Sequence, residues 1–99
     1  VGRNTQIADR LRKGETVQYR PHGNSMTPRV KSGQLVTVEP ATIDDVEPGD
    51  IAFTKVRGSF YLHLVKQKGD DGRLLIANNH GHVNGWTRQV FGKLAKVET

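Results

Sequence analysis

Residues 48–68, Pro48-Gly49-Asp50-Ile51-Ala52-Phe53-Thr54-Lys55-Val56-Arg57-Gly58-Ser59-Phe60-Tyr61-Leu62-His63-Leu64-Val65-Lys66-Gln67-Lys68, carry the clearest backbone signal in the chain. Pro48-Gly49-Asp50 reads as a tight turn, with proline pre-set for the corner and glycine free to take a positive φ. A β-rich run follows from Ile51 to Val56, then Arg57-Gly58-Ser59 as a hairpin loop, then a second run from Phe60 to Lys68. Alternation places Tyr61, His63 and Val65 on one face of that second strand, and Leu62, Leu64 and Lys66 on the other.

The same reading extends in both directions. Thr16–Arg20 and Leu35–Glu39 alternate as strands, the second stopping at Pro40. Gly69-Asp70-Asp71-Gly72 is a turn, after which residues 73–77 pair back. Residues 90–97 form the last strand, with Gly92 expected as a bulge. Residues 4–13 are the one helical stretch, with Ile7, Ala8 and Leu11 on one face. Asn4 or Thr5 is placed to cap its start, and Gly14 to end it. The expected fold is mainly β: a compact sheet of six or seven strands with one short N-terminal helix. Residues 1–99 are expected to form one domain, with a helical segment over 1–14 and a β core over 16–98.

Composition narrows the function. The chain of 99 residues has no cysteine, so disulfides and thiolate metal sites are excluded. No apolar run approaches the roughly 20 residues of a membrane helix, and no signal peptide is visible. A soluble cytoplasmic chain without a membrane anchor is the expectation. The formal net charge of +5 is compatible with nucleic acid or an acidic partner, but the basic residues are dispersed from Arg3 to Lys96, as on a solvated surface. There is no interleaving of aromatic and basic residues to stack bases, so nucleic acid is not indicated.

The chemistry centres on Gly23-Asn24-Ser25-Met26-Thr27-Pro28. Gly23 allows an unusual backbone just before Ser25, and Pro28 stiffens the exit. A nucleophilic serine needs such a place, with a protruding hydroxyl and free backbone N–H groups. Gly, Asn, Ser and Pro also make an ordinary polar turn, and the segment alone favours that simpler account. Met26 fits it poorly, because a single large apolar residue in a polar loop packs inward.

Gly23-x-Ser25-Met26-x-Pro28 resembles the nucleophile motif of signal peptidase I and the LexA-like self-cleaving serine peptidases. The similarity continues through Val30-x-x-Gly33-Gln34-Leu35-Val36-Thr37-Val38, with Gln34 where those families carry Asp, and through Val46-x-Pro48-Gly49-Asp50-Ile51-Ala52. It covers roughly Tyr19 to Val97. It implies a small β fold and serine peptidase activity without a cofactor.

In these families the serine is activated by a lysine or, in endoplasmic-reticulum and archaeal signal peptidases, by a histidine on a downstream strand. His63 follows Ser25 by 38 residues and is the candidate general base. A neutral imidazole accepts a proton near neutral pH without heavy tuning, whereas a lysine must be strongly desolvated first. Lys66 is the alternative base and Lys55 a weaker one. Taken without the Ser25 motif, His63 reads as a half-buried strand histidine.

Residues 77–86, from Ala77 to Trp86, read as a polar, glycine-rich loop. The resemblance implies an Asp here to orient the base, yet none occurs between Gly72 and Thr99. Asn79 and Asn84 are the base-orienting candidates, and a Ser-His dyad is expected rather than a triad. The oxyanion would be bound by the backbone N–H groups of Asn24 and Ser25; the position two before the nucleophile is Gly23, which has no hydroxyl. His80-x-His82, with His22 or His63 as a third ligand, is a conceivable metal site, but it has no accompanying carboxylate, and no metal is expected. Trp86 reads as a core or loop anchor.

No Ala-Gly or Cys-Gly pair precedes Ser25 in this sequence, and residues 4–13 are too short for a helix-turn-helix. The expectation is therefore cleavage of a separate protein or peptide substrate. The alternative is a weak or inactive relative that binds protein or nucleic acid.

Overall fold

The computed structural model describes residues 2–98. One helix, α1 (Arg3–Arg12), precedes seven strands: β1 (Val17–Tyr19), β2 (Val36–Pro40), β3 (Ile51–Val56), β4 (Ser59–Lys68), β5 (Leu74–Ala77), β6 (Val83–Thr87) and β7 (Val90–Val97). They form a single sheet in the order β1-β2-β7-β3-β4-β5-β6, with neighbours antiparallel. The chain is mainly β, as the alternating pattern predicts.

Both faces of this sheet carry a core. On β3, Ile51 and Phe53 enter one apolar cluster while Ala52 and Val56 enter the other. A central strand covered on both sides must be apolar at nearly every position, and Lys55 is the one residue of β3 that is not buried. The first cluster also takes Ile7, Ala8 and Leu11 of α1. A ten-residue helix is marginal alone; burial of Ile7 and Leu11, worth roughly 1.5–3 kcal/mol each, holds it to the sheet.

Four details differ from the sequence reading. The N-cap of α1 is Gly2, with no side-chain cap bond; Asn4 and Thr5 both lie inside the helix. The bulge expected at Gly92 falls beside it: Phe53 pairs with Gly92 and Thr54 with Val90, so Phe91 is the extra residue. Gly92 answers to packing instead. A Cβ there would stand 2.7 Å from Val38 Cγ1 and 2.8 Å from Glu39 O, so the absence of a side chain lets β7 lie against β2 and α1.

The largest correction is β6. Residues 83–86, read as part of the 77–86 loop, belong with Thr87 to a strand that pairs with β5 from Leu74↔Thr87 to Ala77↔Val83. Trp86 lies on the outer side of this strand, 38% exposed, with the Arg73 guanidinium 5.5 Å from its ring. It is a surface anchor for the turn before β5, not a core residue.

Candidate active site

Ser25 lies in the long connection between β1 and β2. Gly23 takes φ +114°, open to glycine and rarely to other residues. Residues 24–27 then form a turn closed by Thr27 N–H donating to Asn24 O at 3.3 Å, and Val30 N–H donates to Met26 O at 2.9 Å. Met26 and Val30 are buried in the first apolar cluster, while Ser25 is exposed. The turn is thus nailed down by one apolar side chain on either side of Thr27-Pro28-Arg29, and the hydroxyl is left outside. That is the inward packing expected of Met26.

His63 comes from the middle of β4. It is buried, opposite Ala52 of β3, and its ring stacks on Tyr61 with centroids 4.8 Å apart. Its Nε2 lies 3.0 Å from Ser25 Oγ and its Nδ1 lies 2.6 Å from Asn84 Oδ1. An amide oxygen only accepts, so Nδ1 carries the proton and Nε2 presents its lone pair to the serine hydroxyl, which donates to it. This is the tautomer that general-base chemistry requires. Burial disfavours the charged ring and pushes the His63 pKa below the ordinary histidine value; the Asn84 contact opposes this and nearby His82 adds to it.

Asn84 reaches His63 because of two backbone features. Ile76 pairs with Gly85 and Ala77 with Val83, so Asn84 is the bulged residue of β6, a place where a strand re-aims a side chain. Gly85 is buried beside the β3–β4 hairpin, where a Cβ would stand 3.2 Å from Val56 Cγ1. β6 can therefore pass close over the hairpin that bears His63.

The two asparagines proposed from the sequence have separate partners. Asn79 does not meet His63: its backbone N–H donates to Ser25 O at 2.8 Å and its Nδ2 donates to Thr27 O at 2.9 Å. His80 adds a contact that the sequence did not signal, with Nε2 2.9 Å from Asn24 O and 3.0 Å from Thr27 Oγ1. Asn78 Oδ1 accepts from the N–H groups of both His80 and His82, bracing this tight loop. No acceptor among the described residues takes the N–H of Asn24 or Ser25, so both backbone donors are available.

Lys66 is the extra residue where β4 bulges against β5, and its side chain is exposed without a hydrogen bond or ion pair among the described residues. Lys55 Nζ stands over the Phe60 ring at 4.9 Å. Neither is in contact with Ser25. His22 lines the groove described below rather than joining His80 and His82, and among the described residues no three His, Cys, Asp or Glu side chains are grouped to hold a metal.

Ser25 and His63 open onto a groove of about 490 Å³. Its lining includes apolar Met26, Val30, Phe53, Phe60 and Leu62, together with Arg3 and Tyr19. Along this groove β4 is paired on one side only among the described residues: β3 covers Ser59–Leu64, whereas β5 joins from Leu64 onward. The stretch of β4 that leads up to His63 thus presents an open backbone edge. No helix among the described residues is long and apolar enough to cross a membrane.

Comparison with known families finds that the Peptidase S24-like family model matches residues 3–89. A comparison with curated proteins finds no match.

Proposed function

The chain belongs to the Peptidase S24-like family, within the superfamily of LexA-like and signal-peptidase-like serine peptidases, and on that premise we propose that it is a serine endopeptidase in which His63 activates Ser25 to cleave a protein substrate. The observation that carries the reading is the 3.0 Å approach of His63 Nε2 to Ser25 Oγ, with Nδ1 held by Asn84 in the base-competent tautomer.

A peptide laid in the groove as an extended strand would pair with the open edge of β4 and bring one carbonyl to Ser25. His63 Nε2 takes the hydroxyl proton as Oγ attacks the carbonyl carbon. The oxyanion that forms is met by the Ser25 and Asn24 N–H groups. The His63 imidazolium then gives its proton to the departing amine, leaving an ester on Ser25. Water, deprotonated by the same ring, hydrolyses that ester and restores the serine. Lys66 and Lys55 take no part in these steps.

One observation favours a second reading. The partner of His63 Nδ1 is an amide, which supports an imidazolium less well than a carboxylate does. A chain of this kind could hold a peptide in the groove without cutting it. Incubation with a library of proteome-derived peptides, with new termini mapped by mass spectrometry, separates the two. New termini made by the wild type and absent with Ser25→Ala support the peptidase. No new termini, or the same ones from both proteins, would overturn it.

A further inference from the structure

Three donors converge on one carbonyl beside the proposed nucleophile. Asn24 O accepts from Thr27 N–H at 3.3 Å, from Thr27 Oγ1 at 2.9 Å and from His80 Nε2 at 2.9 Å. Because a carbonyl oxygen only accepts, His80 Nε2 bears its proton and shares it with Thr27 Oγ1 at 3.0 Å. The next carbonyl is held too: Ser25 O accepts from Asn79 N–H at 2.8 Å. Both anchors come from the tight loop between β5 and β6, whose hairpin also supplies Asn84 to His63.

A peptide unit is planar, and in the trans form its N–H points opposite to its C=O. The Asn24–Ser25 bond is trans. Fixing Asn24 O therefore fixes the direction of the Ser25 N–H, which leaves the other edge of the same plane, where no described residue accepts it. From this we infer that His80 is a positioning residue that aims the Ser25 amide at the oxyanion, with Thr27 sharing the task and Asn79 setting the next peptide plane. The inference rests on the reading of Ser25 as nucleophile. It also gives a purpose to an exposed histidine that makes no contact with His63. The β5–β6 hairpin would then orient both halves of the chemistry: the base through Asn84, and the backbone donor through His80.

The test is the second-order rate at which an alkyl fluorophosphonate labels Ser25, measured across pH. His80→Phe keeps a planar ring of similar size but removes the donor. It is expected to slow labelling by about 10–100-fold, short of the loss seen when an oxyanion donor is deleted outright, without moving the acid limb that His63 sets. His80→Gln, whose amide can donate to Asn24 O, is expected to recover most of the rate. Thr27→Val removes another donor to the same carbonyl and is expected to slow labelling similarly, so the inference can be judged even if His80→Phe fails to fold. Labelling at the wild-type rate in folded His80→Phe or Thr27→Val, or a loss that His80→Gln does not repair, would overturn the inference and leave Ser25 as nucleophile. Absence of labelling in the wild type would overturn the nucleophile reading itself, and the inference with it.

Discussion

Asn84 Oδ1 stands 2.6 Å from His63 Nδ1, joining a bulged residue of β6 to the middle of β4 across 21 residues of chain. The contact fixes the ring tautomer and ring plane, which is half of what an orienting carboxylate contributes. The other half, stabilisation of the imidazolium, is reduced because the amide carries no net charge. His63 thereby presents an unprotonated Nε2 to the Ser25 hydroxyl, on a ring that burial makes reluctant to hold a second proton.

Asn84→Asp should supply the missing charge. A carboxylate in contact with an imidazole favours the charged ring and raises its pKa. The acid limb of Ser25 reactivity is expected to move to higher pH, with a faster rate on the plateau. Fluorophosphonate labelling of the two proteins across pH measures both changes; an unmoved acid limb would mean that His63 is not the titrating group.

In the wild type the acid limb should fall below the ordinary histidine value of 6.5, because burial disfavours the charged ring more than Asn84 favours it. With His63 as the proposed base, only its neutral form accepts the serine proton, so reactivity is expected to be lost as pH falls through the depressed pKa. The stability effect has the same direction. Below about 6.5 the unfolded chain binds the proton first, so this residue's contribution to stability falls as pH drops from the ordinary value through the folded one. Titration of the His63 ring protons by NMR, paired with urea unfolding at several pH values, checks both.

Gly92→Ala tests the packing of β7 against β2 and α1. The added Cβ would meet Val38 Cγ1 at 2.7 Å and the rigid backbone oxygen of Glu39 at 2.8 Å. Overpacking of this kind costs about 1–3 kcal/mol, and the loss should show in the urea midpoint without a change in slope.

The hairpin of β3 and β4 was legible because residue type and glycine-bearing turns agree there: Pro48-Gly49 turns the chain, and Gly58 takes a positive φ in the hairpin turn. β6 was not legible. Val83-Asn84-Gly85-Trp86-Thr87 contains a glycine and an asparagine, both poor strand formers, and owes its extended form to pairing with β5. The site divides in the same way. Ser25 and His63 stood out by motif and spacing. Asn79 and Asn84 were interchangeable in sequence, since both are amides in one polar stretch; the bulge that turns Asn84 toward His63 is a property of the sheet register. His80 carried no role in the sequence beyond a conceivable metal pair with His82 that lacked a carboxylate, because nothing in its neighbours reveals that the loop folds back on Asn24.

The most direct measurement is fluorophosphonate modification of Ser25 in the wild type and in His63→Ala, followed by peptide mass mapping. One adduct is expected, on Ser25, formed at least about 100-fold more slowly when His63, the proposed general base, is removed. An unmodified Ser25 in the wild type, or an equal rate in His63→Ala, would contradict the proposal.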